Sequence, residues 1–154
     1  MEVADAVKAA ESDPAVREHM GDGFYLSSLL TIPENLNEIT QWSLVYFNPA
    51  NQKVFSVDVT PGSVKKTPES SPLVEGNYSK LECRDALETR FLLAKLTEIL
   101  VKEREFPMRV IITLRDCLWK VALVTQSVKM IRVDLDMKTG ELKSIDKSSL
   151  IKTA

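Results

Sequence analysis

Apolar residues along this chain recur with two periods, and the switch between them divides it. In "VADAVKAAESDPAVREHMGDG" (3–23) Val3, Ala6, Val7 and Ala10 fall at helical spacing. Asp13-Pro14 interrupts that run as an N-cap followed by proline at the first helical position, so a second short helix is expected over 15–20, ending at Gly21 and Gly23. The period then drops to two. "FYLSSLLTI" (24–32) and "ITQWSLVYF" (39–47) read as strands, separated by a loop at 33–37. "KVFSVDVT" (53–60) alternates Phe55, Val57 and Val59 against Ser56 and Asp58. The turn residues of "NPANQ" (48–52) join it to the preceding strand as a hairpin.

"TPESSPLVEGN" (67–77) has no periodicity and reads as a linker. Beyond it "SKLE" places Glu82 three residues after Ser79, a capping box, and predicts a helix over about 80–104. Leu92, Leu96, Ile99 and Leu100 form its apolar stripe, extended by Leu87 and Phe91, and Glu98 and Lys102 are spaced for an i,i+4 pair. Strands follow at 108–115, 118–126 and 128–136, with a turn at Asp116-Cys117. "MKTG" (137–140) closes a hairpin onto a short strand at 141–145, and the tail "DKSSLIKTA" is expected to fray.

The second series of elements echoes the first. "KVFSVDVTPGSVKK" (53–66) and "KMIRVDLDMKTGELKS" (129–144) share a Val-Asp strand, a glycine turn and a short strand. Trp42 aligns with Trp119 at an offset of 77 (119 − 42), Val57-Asp58 with Val133-Asp134 at 76 (133 − 57), and Gly62 with Gly140 at 78 (140 − 62). The drifts fall in turns, where insertions cost least. The pattern reads as a tandem duplication of about 75 residues. The fold class expected is α+β: two repeats, 1–70 and 79–154, joined by a linker at 71–78 and docked as one globular unit. Each repeat is one helix on a three- or four-stranded antiparallel sheet. A unit of that size is marginal alone, which favours docking.

Composition narrows the function classes. A hydrophobic fraction of 44% with 27% charged residues is a globular balance, and a formal net charge of -2 argues against nucleic acid as the main partner. No apolar run approaches the length that spans a bilayer. The acidic, Ala-rich start lacks the basic and apolar regions of a secretory signal, so the expectation is a cytoplasmic protein or, alternatively, a trimmed extracytoplasmic form. Cys83 and Cys117 fit neither a disulfide framework nor a zinc spacing and read as free thiols.

Candidate chemistry is sparse. "DLDMKTGE" resembles a calcium loop, but counting from Asp134 puts Lys138 at position five, Thr139 at the glycine position and Ile145 at position twelve, so the hairpin reading prevails. His19, the only histidine, has no local nucleophile or carboxylate and reads as a helix-end residue facing the dipole. No cysteine pair, phosphate loop, cofactor motif or metal set is legible, and the chain reads as non-enzymatic with no cofactor. Asn77-Tyr78-Ser79 matches a glycosylation sequon, and Thr67-Pro68 and Ser71-Pro72 could accept phosphate. Trp42 and Trp119 belong by pattern to the sheet core under each helix. The functional reading makes them, with Tyr46, an aromatic binding surface.

The run of a helix, a Trp-bearing strand ("QWSL", "LWKV") and a Val-Asp hairpin ("SVDVTPGSVKK", "RVDLDMKTGELKSI"), with the opening "AVKAAESDPAVREHM", resembles PepSY-type domains. The resemblance covers most of the chain. It implies a non-enzymatic module that binds a protein or peptide, with peptidase inhibition as one version. The tandem layout is also similar to that of secreted β-lactamase inhibitor proteins, by analogy of architecture. The expected mechanism is surface complementarity or addition of a partner strand to a sheet edge. The alternative is a small-ligand sensor with a pocket between helix and sheet.

Overall fold

The computed structural model describes residues 1–72, 76–82 and 85–151. Two helices, α1 (Val3–Glu11) and α2 (Pro14–Gly21), precede the strands β1 (Tyr25–Thr31), β2 (Trp42–Asn48), β3 (Lys53–Thr60) and β4 (Ser63–Lys66). A third helix, α3 (Thr89–Glu103), precedes β5 (Pro107–Arg115), β6 (Leu118–Thr125), β7 (Lys129–Asp136) and β8 (Leu142–Ser149). The fold is α+β, built from two similar units, each of helix packed on four antiparallel strands. The eight strands form one sheet in the order β4-β3-β2-β1-β5-β6-β7-β8.

The period of two sets which face each strand buries. Trp42, Leu44 and Tyr46 on β2, Phe55, Val57 and Val59 on β3, Trp119, Val121 and Leu123 on β6 and Ile131, Val133 and Leu135 on β7 join one core with the buried helix residues. On the other face, Ser43 and Lys120, each following a tryptophan, lie opposite Asp58 and Asp134. Ser43 Oγ donates to Asp58 at 2.6 Å, and Lys120 Nζ sits 3.6 Å from Asp134. The echoed aspartates are thus equivalent cross-strand partners on the open face.

Register makes the duplication quantitative. Trp42↔Val59 corresponds to Trp119↔Leu135, and Val59↔Val64 to Leu135↔Leu142, under the sequence offsets. Leu29↔Leu44 and Ile112↔Val121 make Leu29 equivalent to Ile112, an offset of 83 (112 − 29). The junction obeys the same rule: Leu29↔Leu114 and Thr31↔Ile112 exchange under that offset, and Leu30↔Thr113 maps onto itself. A local two-fold therefore passes through the Leu30–Thr113 pair. The change of offset arises between the first two strands of each unit. Residues 32–41 make a long connection in the first, whereas the second uses Asp116-Cys117, both at positive φ (53° and 61°) as a two-residue hairpin turn requires. Trp42 and Trp119 reach across β1 and β5 until their rings are 6.1 Å apart.

The helix boundaries follow their caps in one unit and depart from expectation in the other. Asp13 Oδ1 accepts from the N–H groups of Ala15 and Val16, as the Asp-Pro signature predicts. The helix expected from residue 80 begins instead at Thr89. Leu81 is drawn away from helix geometry because its N–H donates to Leu26 O and its side chain is buried, so 80–82 run beside the half of β1 that β5 does not reach. The N-terminus of α3 is capped by a residue from the other unit: Glu2 accepts from Thr89 N–H (2.9 Å) and from its hydroxyl (2.7 Å), placing a carboxylate at the positive end of the helix. Leu92, Leu96, Ile99 and Leu100 are buried as the stripe predicts, but Phe91 is exposed, with Arg90 over its ring. The tail does not fray at 145: β8 continues to Ser149.

Candidate functional site

The two ends of the sheet are equivalent in plan and different in finish. At the first end β4 has four residues, and the return segment 67–72 continues along β3. Val54 and Ser70 exchange N–H···O bonds of 2.8 Å, and Thr67 N–H donates to Ser56 O at 2.9 Å, so the edge of β3 is occupied along its length. Short edge strands and irregular cover are how sheets avoid pairing with other chains.

At the second end β8 has eight residues, and all of them are exposed. Leu150 N–H donates to Val128 O. Antiparallel pairs alternate between bonded and non-bonded, so this phase continues to Ser148↔Met130, Asp146↔Arg132 and Ser144↔Asp134. The N–H and C=O groups of Ile145, Lys147 and Ser149 then point away from β7, with no strand beyond them among the described residues. Ile145 lies opposite buried Val133 and Leu142 opposite buried Leu135, so both side chains stand on the helix side, yet they remain 39% and 41% exposed. Lys147 turns back to Glu103 at the end of α3 (2.8 Å). Asp136 fixes the hairpin feeding β8: its Oδ2 accepts from the N–H groups of Lys138 (3.0 Å) and Thr139 (2.9 Å), which hold its carboxyl below the ordinary range. That is the job "DLDMKTGE" performs.

The aromatic residues named from the sequence lie elsewhere. Trp42, Tyr46 and Trp119 are withdrawn from solvent completely, because each sits on the helix-facing side of its strand. The indole N–H of Trp42 donates to Met1 O and that of Trp119 to Met137 O. Tyr46 stacks on Phe55, 4.9 Å between centroids. Cys117 is exposed in its turn, and Cys83 lies outside the described residues.

A cleft of about 680 Å³ opens between α1 and the stretch 80–82, with Val7, Met20, Phe24 and Leu26 on its apolar wall. Glu11 lines it, and burial pushes its carboxyl above the ordinary range despite a hydrogen bond from Tyr46. Lys8 and Lys80 stand on the same cleft. The sequence pointed to a short strand at 141–145 but not to its continuation to Ser149, and it offered a pocket between helix and sheet without naming residues for it. "DKSS" carries no alternation, and the cleft joins residues far apart along the chain.

Among the described residues no helix is long and apolar enough to cross a membrane. No family model and no curated protein matches the chain. The fold has a solved counterpart in a candidate lipoprotein from Clostridium difficile 630, at a TM-score of 0.54 with 8% identity over 87% of this chain and 89% of that one. That likeness is one of fold.

Proposed function

We propose that the protein is a non-enzymatic module that binds a protein or peptide by taking an extended segment onto the edge of β8. One observation carries this reading: an eight-residue edge strand, exposed throughout, presents outward backbone groups beside uncovered Leu142 and Ile145, while the edge strand of the first unit, β4, has four residues and continues irregularly. Backbone hydrogen bonds would supply affinity, and side chains landing beside Ile145 would supply selection. The PepSY-like run of elements supports inhibition or regulation of a peptidase as one form of this role.

The test is NMR titration of the labelled chain with peptides selected from a random library. Binding at the edge shifts the amides of Ile145, Lys147 and Ser149. Selected peptides that bind while leaving those amides unmoved would refute the site.

The cleft beside α1 favours a second reading, a small-ligand sensor, since its volume and mostly apolar lining suit a small molecule. Thermal stabilisation by a metabolite, abolished by Val7→Trp, would move the assignment to the cleft.

A further inference from the structure

The charged groups lining the cleft beside α1 are not alike. Lys8, Lys80 and Glu82 are exposed, so water already solvates them and pairing would gain them little. Glu11 is half-buried, and among the described residues no lysine, arginine or histidine forms an ion pair with it. A carboxylate that has lost water without gaining a counter-ion is the group a ligand can complement best. Burial raises its carboxyl accordingly.

The polar atoms around Glu11 offer lone pairs rather than protons. The Tyr46 hydroxyl donates to Glu11. Ser12 Oγ, on the same cleft, donates to Lys8 O at 2.7 Å, so what it presents to a ligand is an acceptor. Glu11 is the last residue of α1 and Ser12 its C-cap, which places both at the negative end of the helix dipole. The apolar wall of Val7, Met20, Phe24 and Leu26 stands beside them, in a space of small-molecule size. An ammonium group carries three donors and no acceptor, the complement of this set.

We propose that the cleft binds an apolar primary amine, its ammonium donating to Glu11 and Ser12 at the end of α1 and its carbon skeleton lying on Val7, Met20, Phe24 and Leu26. The proposal rests on the cleft as a ligand site and is independent of any partner at β8. An alcohol of the same shape would share the apolar wall and leave Glu11 without a counter-charge. A carboxylate would draw only on the exposed Lys8 and Lys80 and would set a second anion beside Glu11.

Hexylamine, 1-hexanol and hexanoate share an alkyl chain and differ in charge. Titrating each into the full labelled chain near neutral pH, with the amides of Val7, Glu11, Leu26 and Leu81 as the readout, tests the proposal. Hexylamine is expected to bind at least about tenfold more tightly than either of the others. Glu11→Gln keeps the shape of the side chain and an acceptor for Tyr46 but removes the charge. In that variant, folded by its amide spectrum, hexylamine is expected to weaken to the level of hexanol while hexanol is unchanged. Equal binding of hexanol or hexanoate, or undiminished hexylamine binding in Glu11→Gln, overturns the amine assignment and leaves the cleft standing as a ligand site. No shift at these amides with any of the three probes overturns both.

Discussion

The two units share their register and differ in how they end. The first carries two helices, and its last strand is short and continued by a segment bound to β3. The second carries one helix, and its last strand runs eight residues with every side chain exposed. A duplicated plan predicts equal ends, and the two differ in the length and regularity of the edge strand. The first end presents four regular residues, and the second presents eight, with two exposed apolar side chains.

The largest effects test equivalence in the core. Trp42→Ala and Trp119→Ala should each lower unfolding free energy by about 3–5 kcal/mol in urea titrations. The two rings are wholly buried at matched registers and touch each other. A cost below about 1 kcal/mol at either position would break the symmetry between units.

Next in size is the backbone phase of β8. Asp146→Pro removes an N–H bonded to β7 and should cost about 1–3 kcal/mol, whereas Lys147→Pro removes one that points to solvent and should cost well under 1 kcal/mol beyond Lys147→Ala. Equal costs would mean that the outward groups have been assigned to the wrong residues.

Glu2→Ala should cost about 1 kcal/mol, because Glu2 caps α3 from the other unit. Exchange measurements should show the loss at the first turn of α3. A loss confined to α1 would sever this link between units.

The smallest expected effect is a divergence with pH. The Glu11 carboxyl in the first unit is raised by burial, so its protonation favours the folded state and the contribution is lost as pH rises through its folded value. Asp136 and Glu105 in the second unit are lowered, Asp136 by backbone donors and Glu105 by the Ser127 hydroxyl, so their contributions hold at neutral pH and are lost as pH falls through their folded values. Acidification below the ordinary carboxylate range should therefore loosen the β7–β8 turn before the C-terminal end of α1, as read by residue-resolved amide exchange. The reverse order would contradict these environments.

Much of the architecture was legible because period-two alternation and turn chemistry are local. The Asp13 cap, the Asp116-Cys117 turn and the Trp and Val-Asp echoes all stand where their sequences place them. What was illegible depended on partners far along the chain. Ser79 and Glu82 form a plausible capping box, but Leu81 is claimed by β1 and the real cap comes from Glu2. The last strand was expected to stop at 145 and fray beyond, because residues exposed on both faces carry no burial pattern. His19 lacked a local carboxylate because its ion-pair partner, Glu69, lies fifty residues away. For the candidate site, aromatic content drew attention to Trp42, Tyr46 and Trp119, which the same alternation places inside, while the open edge is a property of backbone that residue identity does not announce.

The most direct test of the account is a paired binding experiment on β8. A library-selected peptide should bind the native chain and Lys147→Ala with comparable affinity and lose at least about tenfold against Lys147→Pro, whose fold is intact by amide exchange. Undiminished binding to the folded Lys147→Pro variant would show that the β8 edge is not where this protein takes its partner.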